Sequence, residues 1–192
     1  MEYIHYLSQF DRQVTLFLNS FHNSFFDFLM DWISYRFTWV PFYLFLLYIL
    51  FKHFGKSTWL ILIGIALLIT ASDQSANLIK NHLVQRYRPC HDASISGLTH
   101  LVGNCGGDYG FISAHASNSF ALAIFLILST KKRISWLNPV MLVYAALVSY
   151  SRVYNGVHFV GDILCGALWG YVLAYGFSKI YLHFEGKIDK ID

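Results

Sequence analysis

Charge is what this chain has least of. Lys, Arg, Asp and Glu together make up 13% of its 192 residues, against about 25% in an ordinary soluble domain. Apolar residues fill 56% of the chain and Phe, Tyr and Trp alone 18%, with a mean hydropathy of +0.45. That balance excludes a water-soluble globular domain and implies a single-domain integral membrane protein. The chain also has no block of basic residues of the kind that binds nucleic acid; its net charge is only +3. Nor does it open on a basic segment followed by a short apolar core. Glu2, Asp11 and Arg12 stand there instead, so no cleavable signal peptide is expected and the spanning helices should direct insertion themselves.

What the chain does have is a series of apolar stretches of roughly membrane-spanning length. The expected fold is an all-α integral membrane bundle of five to six transmembrane helices. Spans are expected at 37–51 (with 32–35 extending it and Pro41 tolerated in its first turn), 57–84, 109–130, 134–151 and 159–182. Residues 14–26 are apolar but short and flanked by Asp11, Arg12, Asp27 and Asp31. They read as an interfacial or re-entrant helix, with a sixth span as the alternative. The implied organisation is an N-terminal interfacial region at 1–34, a transmembrane domain at 35–184 and a short cytoplasmic tail at 185–192. Lys52, Lys56, Lys131, Lys132, Arg133, Lys179, Lys187 and Lys190 fall on one side of a five-span bundle, which makes that side cytoplasmic. Arg86, Arg88 and Arg152 fall on the other, where an anionic substrate would account for them.

Three motifs gather on that outer side. In the segment from Ser151 to Asp162, His158 and Asp162 are four residues apart, which on a helix puts both on one face. The carboxylate can then hold one ring nitrogen and leave the other to attack, as in an activated histidine nucleophile or base. A plain helix-bridging pair has the same spacing, but Arg152 nearby offers a fork of donors suited to phosphate. In the second motif, Pro89 biases Arg88 away from helical geometry. The helix should therefore end near Arg86 or Tyr87, and Lys80 and Arg88 can converge on one anion, unless they only snorkel at the interface. The third motif runs from Gly110 to His115 and opens a span. It offers backbone amides at a helix N-terminus, a Ser113 hydroxyl that is either a donor or an N-cap, and His115 as a proton donor to a leaving oxygen. Asp73, Gln74 and Asn77, polar residues inside the second span, are expected to face the bundle as a structural network. Gly161, Gly166 and Gly170 suggest close helix contact.

In order and spacing, over about residues 73–165, these motifs resemble the type 2 phosphatidic acid phosphatase superfamily of membrane lipid phosphatases, which share an active site with vanadium haloperoxidases. Ser151, Arg152, His158 and Asp162 match its third motif in full. Ile112-Ser113-Ala114-His115 keeps the serine and histidine of the second but lacks its proline and glycine. Seven residues separate Lys80 from Arg88, where the first motif has six. On an ideal helix that eighth step overshoots the face by about 80°. Lys80 keeps the motif's place if the extra residue lies at the frayed end before Pro89; otherwise Asn81 stands there and Arg86 supplies the charge.

The resemblance implies that His158 attacks phosphorus to form a phosphohistidine and that Asp162 orients it. Lys80, Arg88, Arg152, Ser113 and the Ala114 and His115 amides would hold the phosphoryl oxygens, with His115 as acid and then base. It implies no metal and no other cofactor, the cationic cluster neutralising charge instead. The expected partner is a lipid phosphate: undecaprenyl diphosphate, phosphatidic acid, phosphatidylglycerophosphate or a lipid A type, at a bacterial inner membrane with the site facing outward. A soluble haloperoxidase relative conflicts with the apolar spans. A protein that only binds or transports lipid phosphates has no need of His115, His158 and Asp162 together. Cys165, inside a span, reads as a small packing residue. Cys90 and Cys105 share the outer loop and in an oxidising compartment would form a disulfide, the alternative being two thiols. The bridge would close a short loop, worth about 3 kcal/mol in the chain-entropy picture.

Overall fold

A computed structural model describes residues 2–130 and 133–188, and among these the fold is all-helical. Lys131, Lys132, Lys190 and the end of the expected tail lie outside the described residues. Helix α1 spans Glu2–Asn19 and α2 spans Ser24–Ser34. Residues 14–26 are therefore not one helix: the chain turns between the two, and Asn23, in extended conformation, caps α2 by accepting from the Phe25 and Phe26 amides at 3.1 and 3.0 Å. The cap satisfies donors that an uninterrupted helix would have paired. Residues 32–34 finish α2 and Tyr35 is extended, so they do not lengthen the first long helix as expected.

Helix α3, Val40–Phe54, carries Pro41 in its first turn, where the missing N–H costs nothing. Helix α4, Thr58–Leu78, runs directly into a π-helical turn, Ile79–Val84, that stops at Gln85 with φ 42°. The helical path ends at Val84, as the expected span does, and short of the Arg86 or Tyr87 read from Pro89, because Arg86 and Arg88 pair with the opposite side of the following loop. The Gly110 amide donates to the Arg86 carbonyl at 2.8 Å and the Arg88 amide to that of Asp108 at 3.0 Å. The same pairing delays α5, which spans Ala114–Thr130 rather than starting at 109. Helices α6, Leu137–Tyr154, and α7, Val160–Ile188, complete the bundle.

The core runs between α3, α4, α5, α6 and α7 around Leu50, Ile61, Leu68, Phe125, Leu126 and Met141. Their other faces are as apolar as the core. On α4, Ile63 and Leu67 are 56% and 58% exposed while Ile61 and Leu68 are fully buried; Val143, Leu164 and Leu168 are likewise exposed. Helices apolar all round belong in lipid rather than water. The stretches Arg36–Val84 (holding α3 and α4) and Val160–Gly186 are long and apolar enough to cross a membrane, and α5 is a shorter apolar helix. Of the polar residues in α4, Asp73 and Asn77 turn inward, whereas Gln74 is exposed, contrary to expectation. Cys165 also faces outward rather than packing.

Two features draw the site end of the bundle together. A Cβ on Gly166 would lie 2.6 Å from the Ser113 carbonyl oxygen, and one on Gly170 2.9 Å from the Ala121 amide; only glycine lets α7 approach α5 this closely. That approach lets the Ser113 amide donate to the Asp162 carbonyl at 3.1 Å. The second feature is the N-terminal pair of helices, which clamps the long loop. Asn19 donates to the His100 and Tyr154 carbonyls at 2.9 and 2.7 Å and accepts from the His100 amide at 2.7 Å. Asp27 hydrogen-bonds His100 and Tyr154; the Tyr154 hydroxyl, followed by His100, holds its carboxyl below the usual range. Within the loop Cys90 and Cys105 form the expected disulfide, with Cα atoms 6.2 Å apart. Alkylation of unreduced protein, read by mass spectrometry, should therefore label Cys165 and leave Cys90 and Cys105 unlabelled until a reductant is added. Quantitative labelling of both would contradict the bridge.

Candidate active site

His158 lies in the turn between α6 and α7, not on the helix with Asp162 as the spacing suggested. Helix α7 starts two residues later, and the turn owes its path to Gly156 at φ +71°, where a Cβ would strike the His100 backbone. The pair still meets: His158 Nδ1 is 3.4 Å from Asp162 Oδ2, and that oxygen also accepts the Phe159 amide at 3.0 Å. Asp162 is fully buried and His158 1% exposed. Burial pushes the imidazole well below its ordinary value, and Arg88, Arg152 and Lys80 push it further. Burial and the neighbouring cations thus favour the neutral ring, which has a lone pair to offer.

The cations converge from three elements. Arg88 is anchored by its Nε donating to the Tyr109 carbonyl at 3.1 Å and Nη1 to that of Val157 at 3.4 Å; burial lowers its affinity for the proton and Asp162 opposes that. Arg152, at the end of α6, donates through Nη1 to Ser34 Oγ, and its buried Nε has no partner among the described residues. Lys80 sits in the π-helical turn within electrostatic reach of Arg88, Arg152 and Asp162. The turn accounts for the extra residue between Lys80 and Arg88, because i→i+5 bonding absorbs an insertion that an α-helix would express as rotation. Lys80 donates to Asn77 Oδ1 at 3.3 Å, Asn77 to Asp73 Oδ2 at 3.0 Å, and Asn118 to Asp73 Oδ1 at 3.1 Å. Asp73 thus fixes the base of Lys80's support, as the network reading anticipated.

Ser113 is wholly buried and caps α5, its Oγ accepting the Ala116 amide at 3.4 Å, which leaves the hydroxyl proton available. Ala114 and His115 fill the first turn, whose amides have no intrahelical acceptor. Both line a cavity of about 620 Å³ that runs on between α3, α4, α5 and α6 past Tyr43, Leu47, Leu62 and Leu122.

The structure thus brings Lys80, Arg88, Arg152, His158 and Asp162 to one end of the bundle, with the start of α5 joined to Asp162 through Ser113. Sequence reasoning missed the contribution of α1, whose Asp11 and Thr15 cap the start of α7, and gave Arg86 only a fallback place. In the structure Arg86 engages two carboxylates, Asp162 at 3.0 Å and Asp11 at 2.7 Å. The closeness of Arg86 to Arg88 in the sequence was the available signal. Gly110 was treated only as part of a motif.

The pattern of the PAP2 superfamily matches residues 58–184, and the chain belongs to that superfamily. A lipid A 4'-phosphatase of Bacteroides thetaiotaomicron is 42% identical over 170 residues, covering 87% of this chain and 75% of that protein. A lipid A 4'-phosphatase of Porphyromonas gingivalis is 32% identical over 93% of this chain and 75% of its own length. In fold, the chain is similar to the crystal structure of a transmembrane PAP2 type phosphatidylglycerolphosphate phosphatase from Bacillus subtilis, with a TM-score of 0.68, 24% identity and coverage of 95% of this chain and 87% of that one. The chain is a membrane phosphoric ester hydrolase of the lipid phosphatase kind.

A Cβ on Gly110 would lie 2.8 Å from Asp162 Oδ2 and 3.4 Å from both His158 Nδ1 and Arg88 Cγ. Gly110→Ala should therefore lower kcat by about 10- to 100-fold, since small displacements of reacting groups are that costly, while the protein still folds. Phosphate release beside a melting curve checks this; full activity would show the space is not needed.

Proposed function

We propose that the protein hydrolyses a phosphomonoester or diphosphate of an envelope lipid through a phosphohistidine, without a metal. The observation that carries this reading is a buried histidine paired with a carboxylate, with Lys80, Arg88 and Arg152 in electrostatic reach, and with His115 lining an apolar cavity. In the first step His158 Nε2 attacks phosphorus. The N–P bond forms as the P–O bond to the lipid breaks, and His115 protonates the departing oxygen. Asp162 stabilises the positive charge gathering on the ring. Lys80, Arg88, Arg152, Ser113 and the Ala114 and His115 amides take up charge on the equatorial oxygens. In the second step His115 removes a proton from water, whose oxygen displaces His158 and frees inorganic phosphate.

The cavity gives the lipid end its place, because leucine-lined space beside a cationic cluster suits acyl chains below a phosphate. A lipid A type phosphomonoester is the substrate we favour, on the names of the two relatives above. We place five spans at α3 to α7, with residues 1–34 interfacial, 35–184 transmembrane and 185–192 a cytoplasmic tail. Lys52, Lys56, Arg133 and Lys179 then face the cytoplasm, and the site faces outward from a bacterial inner membrane. Exposed Tyr3, Tyr6, Leu7, Phe10 and Phe17 on α1 suit a helix lying in the interface.

Purified protein should release phosphate from lipid A faster than from phosphatidic acid, phosphatidylglycerophosphate or undecaprenyl diphosphate, and should do so undiminished in EDTA. His158→Ala should abolish turnover, and Asp162→Asn should reduce it by about 10³- to 10⁴-fold, as in other coupled nucleophile systems. Strict dependence on a divalent ion, or turnover by the His158 variant, would overturn the mechanism. In intact cells a cysteine at Ser96 should react with an impermeant thiol reagent and one at Lys56 should not; the reverse would put the site on the cytoplasmic leaflet.

A further inference from the structure

Asp162 is a carboxylate with no exposed surface, and each of its oxygens needs a donor to stay charged. Oδ2 accepts the Phe159 amide and faces His158. Oδ1 accepts from Arg86 Nη1 at 3.0 Å. Arg86 is held in turn: Nη2 donates to Asp11 Oδ2 at 2.7 Å, and the guanidinium carbon lies over the Phe159 ring, 3.9 Å from its centroid. The other oxygen of Asp11 accepts the Gly161 amide at 2.8 Å, and Thr15, one turn along α1, accepts the Val160 amide at 3.0 Å. A Cβ on Gly161 would come within 2.7 Å of Asp11 Oδ2. The start of α7, which carries Asp162, is thus capped by side chains from the far end of the chain.

We propose that Arg86, fixed by Asp11 of α1, is a positioning residue: it is the counter-ion that keeps Asp162 ionised and turned toward His158, and it is not a ligand of the phosphate. A guanidinium with a carboxylate on each terminal nitrogen and an aromatic ring 3.9 Å from its carbon has fewer donors left for a phosphate than Arg152, whose buried Nε has no partner among the described residues. The inference deepens the proposed function and rests on it for its catalytic part. The charged and titratable groups around Asp162 are His158 from its turn, Arg86 and Arg88 from the loop, Lys80 from the π-helical turn and Asp11 from α1, with outward-facing Cys165 of its own helix within electrostatic reach. Of these, Arg86 alone forms an ion pair with the carboxylate at bonding distance apart from His158 among the described residues. Without it, Asp162 would bind a proton more readily, and the acidic limb of the rate profile would move to higher pH.

The test uses the full chain in detergent, with lipid A as the probe and released phosphate as the readout. Arg86→Gln should lower kcat by about 10- to 100-fold, the scale of losing a supporting partner, with KM unchanged within about twofold. The acidic limb of kcat should shift upward by about one pH unit or more. Arg86→Lys should recover part of both, and Asp11→Asn should reproduce the loss in milder form. A rise in KM at retained kcat would make Arg86 a phosphate ligand, and an unmoved pH profile would leave it merely structural; either overturns the inference. A second readout needs no turnover. Arg86→Gln should lower the Tm, and adding Asp162→Asn should restore part of it by removing the stranded charge. Additive losses would overturn the inference, whereas a wild type that releases no phosphate from any lipid would overturn the proposed function and leave this cycle to be read on its own.

Discussion

A carboxyl group sealed into the end of a helical bundle sets the terms for everything around it. Asp162 has no contact with solvent, so the fold must supply the donors that water would have given. It draws them from the Phe159 backbone, from Arg86 and from His158. The consequences spread outward. Arg86 can reach only because the chain reverses after Val84 and pairs with Gly110. Gly110 must lack a side chain because the pair fills its space, and α7 must approach α5 closely enough for Ser113 to meet Asp162, which Gly166 and Gly170 allow. The chemistry and the packing of this end are one problem with one solution.

The π-helical turn shows how backbone geometry can take up an added residue without turning a side chain away. An inserted residue in an α-helix rotates everything beyond it by about 100°. Here Ile79–Val84 takes up the excess locally, and Lys80 stays within reach of Arg88 and Arg152. The turn sits directly above the Asp73–Asn77–Asn118 hydrogen bonds, so the irregular backbone rests on a firm polar base rather than on lipid. Irregular helix inside a membrane needs such support.

Much of this was legible in the sequence, and the rest was hidden for definable reasons. Apolar runs and scarce charge marked α3, α4 and α7 because lipid demands them. The segments around Lys80, Ser113 and His158 stood out because charges and histidines at helix ends need a purpose. The pairing of Cys90 with Cys105 followed from their sharing one loop. By contrast, the break at residues 20–23 was masked by apolar neighbours on both sides, and only Asn23 marked it. The late start of α5 could not be read because the 86–110 pairing depends on contacts between distant segments. The part played by Asp11 was hidden for the same reason: nothing local distinguishes a capping carboxylate whose helix lies 150 residues away from a solvated one.

That separation carries a consequence for how the molecule is made. Helix α1 leaves the ribosome before the helices it binds, and the amides that its Thr15 and Asp11 receive lie 145 and 150 residues further on. At translation rates of about 5–20 residues per second, the wait is roughly 10 to 30 seconds. During that time α1 can meet the loop at Asp92 and His100 and the end of α6, but the start of α7 is missing and the clamp is incomplete. Docking on α7 therefore comes only after Val160 and Gly161 have been made. A chain that stalls before α7 lacks the clamp together with His158 and Asp162, so the two are completed in one step.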